Sequence, residues 1–144
     1  MDDMSDWIAK AAIAELITRY AALNDAGNWE AVAALYTEDA RMNRPSAPDE
    51  FVVGRPAILE SFKARPRRAA HHIVANILVS LEPGGRARAT SQILLFAGVA
   101  ADGGLPVLAS APPLVGSYHD TLIRCDNEWR FAERRGSLDF RPPK

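Results

Sequence analysis

Between Ile8 and Leu23 the apolar positions fall at Ile8, Ala12, Ile13, Leu16, Ile17, Tyr20 and Leu23, a spacing that lines one stripe of a helix about a third of its circumference wide. One side of this helix must be buried. The run stops in Asn24-Asp25-Ala26-Gly27-Asn28, residues that tolerate turn or left-handed geometry and so mark a helix C-terminus. A second amphipathic run follows at once, with Trp29, Val32, Ala33, Leu35 and Tyr36 on one face and Glu38-Asp39 at its close. Asp39 to Arg44 then reads as a short strand. Pro45-Ser46-Ala47-Pro48-Asp49-Glu50 reads as a loop at the lip of a pocket, because its prolines cannot donate to a ladder. Arg55-Pro56 opens a third, short helix that offers Ala57, Ile58, Leu59 and Phe62 for burial.

From His71 the period drops to two. HHIVANILVSLEP, a turn at Glu82-Pro83-Gly84-Gly85, and RARATSQILLFAGVA predict a long hairpin. A turn at Ala101-Asp102-Gly103-Gly104 leads to an apolar stretch, Leu105 to Leu114, whose three prolines bar it from a central ladder position. GSYHDTLIRC and WRFAERRGSLDF, joined at Asp126-Asn127-Glu128, are two further strands. Three helices followed by four long antiparallel strands indicate one α+β domain over 1–144, with the helices on one face of a curved sheet. In the first long strand Ile73, Ile77, Val79 and Leu81 alternate with Val74 and Leu78, so both faces are apolar. That pattern predicts a second copy on the outer face.

The totals narrow the partners. Lys plus Arg is 17 against 18 for Asp plus Glu, so no net field draws the chain to nucleic acid or an anionic membrane. The acidic start, MDDMSDW, has neither a basic nor an apolar leader pattern, and no apolar run nears the ~18 residues of a membrane span; the expectation is a cytoplasmic protein. One cysteine, Cys125, excludes an intrachain disulfide and a multi-cysteine zinc site. His71, His72 and His119 are not spaced as a ligand set, and no phosphate-binding or redox motif occurs, so no metal and no cofactor is expected. The basic run Lys63-Ala64-Arg65-Pro66-Arg67-Arg68 complements a helix C-terminus and reads first as a solvated helix end, with anion binding as the sharper alternative.

Asp25 is the odd residue. A carboxylate near a helix C-terminus faces the negative end of the macrodipole, which costs about 0.3–1 kcal/mol when exposed and more when partly buried. Either it makes a turn bond to the backbone, or a partner elsewhere in the chain holds it.

The phrases ITRYAALNDAGNWEAVAALYTEDA, VGRPAILESF, HHIVAN and SYHDTLIRCDNEWRFAERRGSLDF, in this order, resemble the SnoaL-like branch of the nuclear transport factor 2-like superfamily across roughly residues 8–140. The resemblance implies a cone-like barrel: three N-terminal helices packed on a strongly bent, mixed, mainly antiparallel sheet, with an internal pocket between. It also implies a homo-oligomer, with a dimer the first expectation and a trimer the other. The superfamily holds cyclases, isomerases, dehydratases and non-catalytic members, so fold alone does not choose a function. The nearest motif match is to the group of scytalone dehydratase, hexachlorocyclohexane dehydrochlorinase and bile-acid dehydratase. Those enzymes use a helix-borne Asp and a strand-borne His, and the matching positions here are Asp25 and His72. By the same resemblance Tyr20 stands where the bile-acid enzyme has its tyrosine, and Arg134 is the arginine of the last strand; a one-residue slip would exchange it with Arg135. Where scytalone dehydratase polarises its carbonyl with tyrosines, this chain has Asn24 and Arg44.

These residue types suit proton transfer. An imidazole titrates near neutrality and can take a proton from carbon and return it to a leaving hydroxide, while a buried Asp on its other nitrogen sets the tautomer. Tyr20 and Arg134 would meet developing negative charge, although Tyr20 lies on the apolar stripe and reads equally as a core tyrosine, and Arg134 reads equally as a structural ion-pair partner. Leu16, Asn24, Trp29, Val32, Ile58, Leu94 and Phe96 are the candidate pocket residues. The expected function is a cofactor-independent, dehydratase-like lyase or isomerase for a small hydrophobic cyclic carbonyl compound. The alternative is a non-catalytic small-molecule binder or accessory protein of the same fold.

Overall fold

A computed structural model describes residues 3–109 and 111–144; Met1 and Asp2 of the acidic start and Ser110 of the proline-interrupted stretch lie outside it. The described elements are α1 (Met4–Ala26), α2 (Trp29–Ala34), β1 (Tyr36–Arg44), β2 (Ala47–Val53), α3 (Arg55–Lys63), β3 (Ala69–Glu82), β4 (Arg86–Val99), β5 (Val107–Leu108), β6 (Leu114–Cys125) and β7 (Glu128–Leu138). The strands form one sheet in the order β2-β1-β7-β6-β4-β3, with β5 paired to β4. Only β1 and β7 run parallel. The result is the expected α+β cone fold, three helices on a mixed and mostly antiparallel sheet, but β2 and β3 remain open edges, so the sheet does not close into a barrel.

Helix α1 is bounded by its caps. The Asp3 carboxylate accepts from the Asp6 N–H at 3.0 Å, and Gly27, at φ 71°, donates to the Asn24 carbonyl. Asn28 then caps α2 by accepting from the Ala31 N–H at 3.3 Å, so the cluster Asn24–Asn28 ends one helix and begins the next. The apolar stripe is buried from Ile13 onward; Ile8 is 64% exposed and Ala12 is also on the surface, because the first turns of α1 run beyond the sheet. Ile13, Leu16, Ile17 and Tyr20 meet Val32, Ile58, Phe62 and Phe131 in the core.

Two expected boundaries shift for a tertiary reason. Leu35 leaves the second helix because its carbonyl accepts from the Phe131 N–H at 2.9 Å, which draws the chain into β1 beside β7. The expected loop at Pro45–Glu50 shrinks to a turn, since Ala47 to Val53 pairs with β1 as an edge strand, where a proline costs no ladder bond toward a second neighbour. Asn43, buried, fastens this corner: its amide donates to the Pro48 carbonyl and its oxygen accepts from the Gly136 N–H at 2.5 Å.

Two bulges reset which face a strand presents. On β3, Asn76 adopts φ 53° where the register with β4 skips, so His72, Val74, Ile77, Val79 and Leu81 face inward while Ile73 and Leu78 face outward. The phase expected for Ile73 is thus reversed. On β7, Ala132 is the extra residue opposite the Thr121–Leu122 step, which lets Phe131 and Arg134 share the inner face although three positions separate them.

Candidate active site

Asp25 and His72, from the end of α1 and the start of β3, are in direct contact. One carboxylate oxygen of Asp25 accepts from the His72 backbone N–H at 2.9 Å, and the other lies 2.5 Å from His72 Nδ1. Both side chains are mostly covered, 12% and 16% exposed for His72 and Asp25. The carboxylate that sits badly on its own helix end thus receives a backbone donor and a ring donor from the neighbouring strand. In the neutral ring, a carboxylate at Nδ1 makes that nitrogen the donor and leaves Nε2 as the acceptor.

His72 lines a cavity of about 260 Å³ that Tyr20, Asn24 and Tyr118 also border. Its apolar wall is built from Met42, Ile93, Leu95, Leu114 and Leu138. Two close approaches to glycine lie near its lip: a Cβ on Gly136 would stand 2.8 Å from the Pro45 ring, and one on Gly116 2.7 Å from the Ser137 carbonyl.

Of the expected pocket residues, Asn24 lines this cavity and Trp29 lines an adjoining one of about 250 Å³. Leu16, Val32 and Ile58 are core residues and do not line the cavity. Leu94 and Phe96 are replaced by Ile93 and Leu95, one position away. The signal for this lies in the sequence: Arg86, Arg88, Thr90 and Gln92 alternate with the small Ala87, Ala89 and Ser91, and continuing that alternation puts Ile93 and Leu95 on the face of the small residues. Arg44, from the end of β1, and Arg65 and Arg68, both from the connection between α3 and β3, border the cavity as well.

Arg134 does face inward, while Arg135 is exposed and lies 3.7 Å from Glu133. Yet Arg134 is not a cavity residue. It is 1% exposed, donates from Nε to Asp120 Oδ1 at 3.1 Å, and lies 3.8 Å from the ring centre of Tyr118 and 4.3 Å from that of Tyr20. Its positive charge is spent on Asp120 and on two aromatic faces that themselves border the cavity. Burial opposes the guanidinium's charge, but Asp120 and the surrounding tyrosines hold its pKa above the ordinary value. Burial lifts the Asp120 carboxyl to about 6 against the pull of Arg134, and it lifts the Tyr118 hydroxyl to about 12.

The Tyr20 hydroxyl is 2.9 Å from that of Tyr36, which in turn donates to Met42 Sδ at 3.4 Å. Either hydroxyl can donate to the other. Burial raises the Tyr36 hydroxyl well above its ordinary value. Among the described residues no group of three or more His, Cys, Asp or Glu side chains is placed to hold a metal ion, and no helix is long and apolar enough to cross a membrane.

Residues 6–135 match the model of the SnoaL-like domain family. No curated protein matches the chain. Among solved structures, a candidate scytalone dehydratase from Novosphingobium aromaticivorans is 23% identical, with a TM-score of 0.76 over 94% of this chain and 87% of that one. A nuclear transport factor 2-like protein with a cystatin-like fold from the same organism is 24% identical, with a TM-score of 0.73 over 96% and 92%. ActVI-ORFA from Streptomyces coelicolor is 24% identical, with a TM-score of 0.71 over 90% and 96%. These likenesses show the fold.

Proposed function

This chain belongs to the SnoaL-like family, and from that membership and its Asp25–His72 pair we propose a cofactor-independent lyase or isomerase, dehydratase-like, for a small hydrophobic cyclic carbonyl compound. The observation that carries this reading is the double contact of Asp25 with His72, which leaves Nε2 unpartnered among the described residues on a side chain that borders a cavity with one apolar wall. In the proposed cycle His72 Nε2 takes the proton from the carbon next to the carbonyl, and the C–H electron pair moves toward the carbonyl oxygen. The imidazolium, stabilised by Asp25, then returns the proton to departing hydroxide as water or to another carbon of the same molecule. Asn24, bordering the same cavity, supplies a neutral donor for the developing oxygen charge.

Incubation with 2-tetralone in deuterated water, followed by NMR, tests the reading. Faster deuterium exchange beside the carbonyl, abolished in His72→Ala, is expected. Binding of the ketone without exchange, unaffected by that substitution, would leave the non-catalytic binder as the better description.

The proposal extends to assembly. Ile73 and Leu78 on the outer face of β3 are 46% and 71% exposed, and we assign this face to a homodimer contact. A monomer in sedimentation at micromolar concentration would remove that part.

A further inference from the structure

Among the described residues, three arginines and no carboxylate border the cavity that holds His72. Arg44 comes from the end of β1 and is anchored by one N–H to the Ser61 carbonyl at 3.0 Å. Arg65 follows α3 and lays its guanidinium over the Phe62 ring, 4.0 Å from the ring centre. Arg68 precedes β3 and is exposed at the rim. Stacking occupies one face of the Arg65 guanidinium, and its Nε is buried with no hydrogen-bond partner among the described residues.

A buried donor without an acceptor is unusual in a folded protein. Here the imbalance is one of charge as well. Burial lowers the Arg65 pKa; Tyr20 opposes this and Arg44 adds to it, so two cations are held where they disfavour each other. Asp25 borders the adjoining cavity, which shares Arg65 and Arg68, but its two oxygens are engaged by His72. Among the described residues Arg65 and Arg68 have no ion pair with a carboxylate, whereas Arg41, Arg88 and Arg134 each do.

We propose that the cavity takes a substrate bearing an oxyanion group, seated against Arg65 with Arg44 and Arg68 beside it, while its apolar body lies along Ile93, Leu95 and Leu114. The planar donor edge of a guanidinium suits a carboxylate or a phosphate. The apolar wall lies in the same cavity as the ring of His72, so a molecule of this kind spans from the arginines to the base. This inference rests on the cavity being the substrate site proposed above, and it narrows the compound from a hydrophobic carbonyl to an acidic one.

Matched probes test it by calorimetry: 2-naphthoate, 2-naphthyl phosphate and neutral 2-naphthamide share one apolar body. At least one anion is expected to bind more tightly than the amide by on the order of tenfold, the worth of one charge-assisted hydrogen bond, and the anion that leads identifies the group. The margin should shrink in Arg65→Gln and in Arg68→Gln; the second variant changes an exposed residue and folds whatever the first does. Equal affinity for all three probes overturns the proposal, as does a margin that survives both substitutions. Binding is read without turnover, so the two readings fail separately. Anion preference in a protein that exchanges no proton sinks the enzymatic reading alone, and proton exchange on neutral ketones without anion preference sinks this inference alone.

Discussion

Asp25 holds His72 at two points, the backbone N–H and ring Nδ1, at 2.9 and 2.5 Å. The backbone contact fixes where the strand lies against the helix end, and the ring contact fixes how the imidazole is turned. Asp25→Asn is therefore expected to lower kcat far more than it raises KM, because the amide keeps the volume but loses the charge that stabilises an imidazolium. His72→Ala should cost on the order of 10²–10⁴-fold in turnover, the usual worth of a positioned acid–base group. Steady-state kinetics on any accepted substrate checks both. Near-normal rates in the two variants would reduce the pair to a structural contact.

Arg134 supports the cavity wall from behind. Arg134→Met would leave Asp120 buried and unpaired, at a cost of about 3–5 kcal/mol, and should lower the urea midpoint before any kinetic effect can be read. Adding Asp120→Asn removes the stranded charge and should recover part of the loss. A double variant no more stable than Arg134→Met would show that the contacts with Tyr20 and Tyr118, and not the ion pair, carry the stabilisation.

The same pair makes stability depend on pH. Burial lifts the Asp120 carboxyl from 3.8 to about 6 on folding, so the folded protein keeps a proton that the unfolded chain has released. Asp120's contribution is complete below the unfolded value, falls as pH rises through the window up to about 6, and stays lost above it. Roughly two units correspond to about 3 kcal/mol. Urea unfolding of the wild type and Asp120→Asn across this window should show their difference shifting against the wild type with rising pH. A shift in the opposite sense would mean that attraction to Arg134 outweighs burial.

Gly136 is required by proximity. Any Cβ there meets Pro45 at 2.8 Å, a ring carbon with no freedom to swing away. Gly136→Ala is expected to cost about 1–3 kcal/mol and to push Pro45 outward, widening the cavity mouth. Thermal unfolding reads the first effect, and faster release of bound 2-tetralone reads the second. An unchanged melting temperature would mean that the β1–β2 corner yields freely.

Elements with a period of their own were legible in the chain, because the repeats of a helix and of a strand are written in neighbouring residues. On that basis α1, α3 and the four long strands could be placed, as could the turn at Asn24–Asn28. Asp25 stood out because a carboxylate is unfavourable at the end of its own helix, a local conflict that asks for a distant partner. Resemblance points to His72 as that partner; composition and spacing alone do not select it. What the chain could not show is which face follows a bulge. Phe131 predicts Arg135 inward by strict alternation, and only the extra residue Ala132 brings Arg134 in. The basic run after α3 read as a solvated helix end, yet Arg65 is drawn over Phe62 into the cavity wall beside Arg44, a residue of another strand. Periodicity is a property of adjacent residues and survives in the bare sequence; the meeting of Arg44, Arg65 and His72 is a property of three segments that come together only when α1 and α3 settle on the sheet.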